Sequence, residues 1–258
     1  MDSPGVAVVT GAGRGLGRGI ALALADAGFD LVLGYHRAAV AVEATADDVR
    51  WRGMRADVVA GDVSQPGTAK LLLDAATSLG VPTAWVNNAG VSVLAPILDT
   101  SPADLNRMLD VNLIGTFHGM QAAALWWLDN GLPGRIVNIA SDLGVQACRF
   151  LGGYAATKFA VVGLTQAAAL ELAESGITVN AICPGTAETG MVLAERASEV
   201  ERTGLAAESV RDSYLAAIPA GRFCTPEDVG SSVAWLCSPS ASYVTGQAIC
   251  INGGSVLH

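Results

Sequence analysis

The segment Gly153-Tyr154-Ala155-Ala156-Thr157-Lys158 sets a phenol and an ammonium four residues apart in a run of small side chains. Four residues is about one helical turn, so in a helix both groups leave the same face. Two chemistries fit. The pair can be ordinary packing, the lysine stem lying along apolar surface with its head in water. It can equally be a proton donor tuned by a fixed positive charge. A phenol of pKa ~10 is a poor acid–base group at neutral pH, and a nearby cation favours its ionised form.

A second group with chemical potential is Thr10-Gly11-Ala12-Gly13-Arg14-Gly15-Leu16-Gly17, which follows a short β-branched run and opens an apolar helical pattern. The spacing is TGxxxGxG rather than GxGxxG. Glycines there permit a tight turn and a close approach of backbone to phosphate, and the N–H groups and dipole of the helix start would hold a pyrophosphate. A glycine turn without a ligand is the other reading.

The elements that must carry these groups alternate. The sequence predicts strands over 6–10, 30–35, 55–60, 83–87, 135–140, 176–183 and 247–251, with helices over 15–27, 38–51, 66–79, 102–128 and 154–174. Strands separated by helices imply parallel βαβ units with right-handed crossovers, an α/β fold. The polar stretch 186–211 reads as two helices outside the sheet, either a lid over a site or a solvated excursion.

Composition narrows the partners. Hydrophobic residues make up 51% and charged residues 15% of the 258, a balance that fits strands covered on both faces. The net charge of −9 argues against nucleic acid or an anionic membrane as partner, and no uninterrupted apolar run is long enough to span one. The five cysteines are dispersed, without CxxC or Cys/His clusters, which points to reduced thiols in a cytoplasmic protein and to no metal site. The first ten residues have no basic segment leading into an apolar one, so no signal peptide is expected.

Taken in order, TGAGRGLG, Asn87-Asn88-Ala89-Gly90, Ser141, Tyr154-Ala-Ala-Thr-Lys158, Pro184-Gly185 and the closing Tyr243-Val-Thr-Gly-Gln resemble the short-chain dehydrogenase/reductase family. The resemblance covers about residues 5–254. It implies one doubly wound (Rossmann-like) domain over 1–258 with about seven parallel strands, a nicotinamide cofactor and a homotetramer. It also settles the opening pair. Tyr154 becomes the proton donor, Lys158 its partner and a ligand of the nicotinamide ribose, and Ser141 the second donor to the substrate oxygen. Asn112, in Asp110-Val-Asn112-Leu113, relays protons through water to the lysine.

The cofactor residues implied are Gly11, Arg14, Gly15, Leu16 and Gly17 in the turn, Arg37 after the second strand, and Asp62 with Val63 near the adenine. Asn88, Ala89 and Gly90 follow the fourth strand, while Pro184, Gly185 and Thr189 lie near the carboxamide and join Tyr154 and Lys158. Members that prefer NADH usually end the second strand in Asp. Tyr35 stands there instead, with Arg14 and Arg37 placed for a 2′-phosphate, so NADPH is expected and NADH is the alternative.

The activity implied is reduction of a ketone to a secondary alcohol, the partner being a small-molecule carbonyl or alcohol. The substrate wall is expected from 142–153, the loop after Gly90, and a mobile helical lid at about 186–218; Arg149 could hold an acidic substrate group or simply be exposed. A 3-oxoacyl-carrier-protein reductase is the second reading, disfavoured because Leu132-Pro133 and Glu174-Ser175 stand where such enzymes are often basic. An NAD-dependent diol or polyol dehydrogenase and a nucleotide-sensing scaffold are the others. Trp126 and Trp127 on the long helix, with the YVTGQ segment, are expected at subunit contacts.

Overall fold

The computed structural model describes residues 4–257. Seven parallel strands form one sheet in the order β3-β2-β1-β4-β5-β6-β7: β1 (Val6–Thr10), β2 (Asp30–Tyr35), β3 (Ala56–Ala60), β4 (Pro82–Asn87), β5 (Gly134–Ile139), β6 (Ile177–Pro184) and β7 (Ala248–Ile251). Alternation along β1 shows why both faces must be covered. Ala7 and Val9 pack into a core under α1 (Gly15–Asp26), α2 (Ala39–Trp51) and α9 (Pro226–Leu236). Val6 and Val8 pack on the opposite side, under α3 (Pro66–Leu79), α5 (Gly115–Asn130) and α6 (Gly152–Leu172). The chain runs outward from β1 to β3 and then returns to β4 on the other side of β1. The crevice at the carboxyl ends of β1 and β4 is therefore the topological switch point where such sheets bind ligands.

Three local features depart from the pattern expected of the sequence. The helix expected over 102–128 is α4 (Pro102–Met108), a π-helical turn (Leu109–Ile114) and α5, which runs on to Asn130. α9 lies in a stretch with no predicted element. It is fixed by a capping box, Asp228 N–H donating to Thr225 Oγ1 and Thr225 N–H to the Asp228 carboxylate, with Pro226 in the first turn. It lies against α1 so closely that a Cβ on Gly19 would stand 2.4 Å from Pro226 Cβ. Finally, Trp127 is not a surface residue. Its indole N–H donates to Pro82 O at 2.8 Å, and its ring fills the space that Gly134 leaves by lacking a Cβ.

A polar chain crosses the apolar interior. Trp85 Nε1 donates to Asn87 Oδ1 (2.9 Å), Asn87 Nδ2 to Asn138 Oδ1 (2.9 Å), and Asn138 Nδ2 to Thr165 Oγ1 (2.9 Å). Asn87 and Asn138 are register partners of β4 and β5. Gly119 makes room for them, since a Cβ there would sit 2.2 Å from Asn87 Oδ1.

Candidate active site

A cavity of about 1300 Å³ runs along the carboxyl ends of the strands. At one end is the glycine turn. Gly11 (φ +67°) and Gly15 (φ +54°) occupy the left-handed region, and a Cβ on Gly17 would stand 2.1 Å from Gly11 O. Asn88 ties the turn down, its Nδ2 donating to Thr10 O (2.9 Å) and Gly11 O (3.2 Å). Thr10 Oγ1 accepts from the N–H groups of Asn88 and Ala89, both at 3.0 Å. The cap of α1 is Arg14, whose side chain does not cap, so the first N–H groups of the helix remain available beside the cavity.

Beyond the turn lie Tyr35, His36, Arg37, Asp62 and Val63. Burial works against the Asp62 carboxylate, yet its pKa is lowered because Ser64 N–H (3.0 Å) and Oγ (2.8 Å) donate to it and His36 and Arg37 stand near. Arg14 and Arg37 are exposed on the cavity rim, and among the described residues neither makes an ion pair.

The other end gathers the proposed acid–base groups. Lys158, 4% exposed, donates from Nζ to Ile139 O at 2.8 Å and lies 5.5 Å from the Tyr154 ring centroid. Burial pulls its pKa down to about 8. The Tyr154 phenol is held well above its ordinary value, by burial first and then by the Glu195 carboxylate, with Ser141 working the other way. Burial outweighs the neighbouring groups that act on the phenol, which favours its protonated form. Ser141 closes β5's end, its Oγ donating to Asp142 Oδ1 (3.1 Å) and accepting from Leu143 N–H (3.1 Å).

Asn112 sits in the π-helical turn, fully buried behind the cavity wall. Its Oδ1 accepts from Val91 N–H (2.8 Å), and its Nδ2 donates to Val91 O (2.9 Å) and Thr157 Oγ1 (3.0 Å). Such a π-helical turn, common at functional sites, re-aims one side chain inside a helix. Thr157, inside the GYAATK motif, is not singled out from sequence, although its hydroxyl links Asn112 to the backbone of Tyr154.

The predicted cofactor residues Gly11, Arg14, Gly15, Leu16, Gly17, Arg37, Asp62, Val63, Asn88, Ala89, Gly90, Pro184, Gly185 and Thr189 all line the one cavity. Arg149 does not. It is exposed and lies on the Phe150 ring (5.1 Å to the centroid). Opposite Tyr154, the cavity is roofed by α7 (Gly190–Thr203) and α8 (Ala207–Ala216), which contribute Met191, Val192, Glu195 and Tyr214. Arg202 of α7 stands 3.5 Å over the centroid of Phe150, a residue held at φ +67°. Tyr214 Oη donates to Glu199 Oε2 at 2.9 Å. No spacing in AERASEVER signals that Glu195 faces the site.

The chain is similar to known proteins over nearly its whole length. A family model described as enoyl-(acyl carrier protein) reductase matches residues 11–256. The chain is 38% identical over 253 residues to diacetyl reductase [(S)-acetoin forming] of Staphylococcus epidermidis, covering 97% of this chain and 98% of that one. It is 38% identical to L-2,3-butanediol dehydrogenase of Corynebacterium glutamicum, over 98% of this chain and 99% of the relative. Among solved structures, a variant of actinorhodin polyketide ketoreductase with NADPH superposes with a TM-score of 0.93 at 35% identity, covering 98% and 97% of the two chains.

Proposed function

Because the chain belongs to the short-chain dehydrogenase/reductase family, we propose a division of labour among its own residues for the reduction of a ketone to a secondary alcohol. The observation that carries it is the convergence of Tyr154, Ser141 and Lys158 at one end of a cavity whose other end is a glycine-built anion cradle. That cradle fits a nicotinamide dinucleotide. The glycines let the turn close tightly on itself and on Asn88, where a Cβ on Gly17 would meet Gly11 O, and the uncapped start of α1 offers N–H groups to a pyrophosphate.

When bound, the reduced nicotinamide supplies a hydride to the carbonyl carbon. Tyr154 donates its proton to the carbonyl oxygen as negative charge builds there, a task suited to a phenol that burial keeps protonated. Ser141 turns its hydroxyl from Asp142 to the same oxygen and steadies it. Lys158, with a pKa near 8, gives a proton back to Tyr154. Asn112 positions the wall, tying Val91 to Thr157, the residue next to the lysine in the chain. The helices α7 and α8 act as a lid that excludes water, within a single catalytic domain.

NADPH is the preferred form. Tyr35 replaces the acid that would hold two ribose hydroxyls, and the unpaired Arg14 and Arg37 suit a 2′-phosphate. Exposed Phe117, Leu125, Leu128, Phe159 and Leu170 on α5 and α6 support a homotetramer. No helix among the described residues is long and apolar enough to cross a membrane, and a cytoplasmic setting fits the unpaired cysteines.

The test is steady-state turnover of a ketone panel with NADPH. Tyr154→Phe should lower kcat by about a thousandfold while dinucleotide binding, followed by fluorescence, persists. Retained turnover would remove Tyr154 from the mechanism. In the same assay Arg37→Ala should weaken NADPH about tenfold and leave NADH little changed, and an equal loss for both would remove the 2′-phosphate reading.

A further inference from the structure

The substrate end holds one carboxylate that the reaction above does not use. Glu195 lines the cavity from α7, and its neighbours there include the apolar Met191 and Val192. The cations closest along its own helix are engaged elsewhere: Arg196 pairs with Glu188 at 3.3 Å, and Arg202 lies on Phe150. Among the described residues Glu195 makes no ion pair. Across from it, on the loop after Gly90, Ser92 also lines the cavity.

Ser92 Oγ is buried without a hydrogen-bond partner, although it stands near enough to Glu195 to ease the carboxylate that burial disfavours. Tyr154 is close as well, since the Glu195 charge is, after burial, the strongest influence on its phenol. The other carboxylate nearby, Asp142, already accepts from Ser141 Oγ. An acceptor whose nearest protein donor is a single loosely placed hydroxyl, next to the proton donor, has capacity left for a donor from the ligand.

We infer that Glu195 and Ser92 select ketones that carry a hydrogen-bond donor, hydroxyl or ammonium, on the carbon chain beside the reacting carbonyl, and turn away ketones that carry a carboxylate there. The inference rests on the ketone-reducing reading and names its substrate class. An ionised carboxylate accepts only, so a donor on the substrate satisfies it, an alkyl group leaves it unpaired, and a second carboxylate is repelled.

Four ketones of nearly equal size separate these cases: hydroxyacetone, aminoacetone, 2-butanone and pyruvate. The wild-type enzyme should favour one or both donor-bearing ketones over 2-butanone by at least about tenfold in kcat/KM, with pyruvate the poorest. Which donor leads distinguishes hydroxyl from ammonium. In Glu195→Gln the donor preference over 2-butanone should shrink about tenfold and pyruvate should gain on 2-butanone. Ser92→Ala should shrink the preference less. Melting curves guard against misfolding of either variant.

Ratios that do not move overturn the inference while leaving ketone reduction standing. So does a common drop on all four substrates, which lost packing or an altered Tyr154 would produce. No turnover of any of the four with either nicotinamide overturns ketone reduction, and this inference with it.

Discussion

The glycine turn after β1 and the helix pair α7–α8 line one cavity, and opposite means hold them in place. The turn is made of backbone: glycines at positive φ, a helix start without a side-chain cap, and Asn88 binding two carbonyls. Its helix, α1, buries Gly17, Gly19, Ile20, Ala21, Leu24 and Ala25. The roof is made of side chains. α7 buries only Arg196 and α8 only Val210; an ion pair to Glu188 and ring contacts with Phe223 and Phe150 join them to the body, and a tyrosine hydroxyl ties one helix to the other. Main-chain geometry tolerates almost no variation, so the turn suits a part common to many reactions, such as the pyrophosphate of the proposed cofactor. Side chains on weakly anchored helices can change singly, so the roof is where one substrate is told from another.

The largest effect that would sharpen this contrast is at Gly17. A methyl group there would stand 2.1 Å from Gly11 O and 2.5 Å from Asn88 Nδ2, so Gly17→Ala should cost about 1–3 kcal/mol of stability. It should also weaken dinucleotide binding by at least about tenfold, read by denaturant melts and calorimetry. A neutral Gly17→Ala would mean the turn is more pliable than the comparison allows.

Next comes Lys158, at the end of the cavity away from the glycine turn. Its pKa falls from 10.5 to about 8, so the folded state gives up a proton that the unfolded chain keeps. The resulting destabilisation is fully present below pH 8 and fades as the pH rises from 8 to 10.5. Lys158→Met should therefore be inactive yet more stable than wild type at pH 7 by on the order of 1–2 kcal/mol, even with the Ile139 carbonyl left unpaired. The gap in Tm should narrow by pH 10. A gap independent of pH would show that desolvation is not what the lysine costs.

The smallest effect belongs to the roof. Arg202→Ala removes a cation–π contact of about 0.5–1 kcal/mol at an exposed site, enough for roughly a two- to fivefold rise in KM with kcat little changed. Gly190→Ala, with nothing within 4 Å of the added carbon, should stay within about 0.5 kcal/mol. A Gly190 variant as damaging as the Gly17 one would erase the distinction between the two walls.

The same contrast explains what the sequence discloses. Strands buried on both faces must be apolar runs, so β1, β2 and β4 are legible in VAVVT, DLVLGY and PTAWVN, and the phosphate turn in its glycine spacing. α9 escaped because its buried Val229, Val233 and Leu236 are sparse among serines, although the Thr225–Asp228 capping box marked its start. The π-helical turn leaves no compositional trace, since one extra residue per turn alters aim rather than hydrophobicity. Trp127 was misplaced because a tryptophan does not say which side of a helix the sheet occupies; Gly134 opposite it does. Glu195 looks like any acid in a charged helix, and only the packing of α7 over the cavity distinguishes it.

The amide chain from Asn87 to Thr165 has a consequence for how the chain finds its structure. Parallel strands of Val and Ile are interchangeable under a slip of two residues, because every side chain stays on its own face. β4 and β5 are not interchangeable, since such a slip would set each asparagine against an apolar neighbour and leave buried amides unmatched, at about 1–3 kcal/mol apiece. Asn88 follows the last residue of β4, and Ser141 lies two residues past β5. A two-residue slip would drive them apart by roughly 7 Å. The two asparagines thus proofread strand alignment from inside the core, and the serine's distance from the phosphate turn is decided there, well before any ligand arrives.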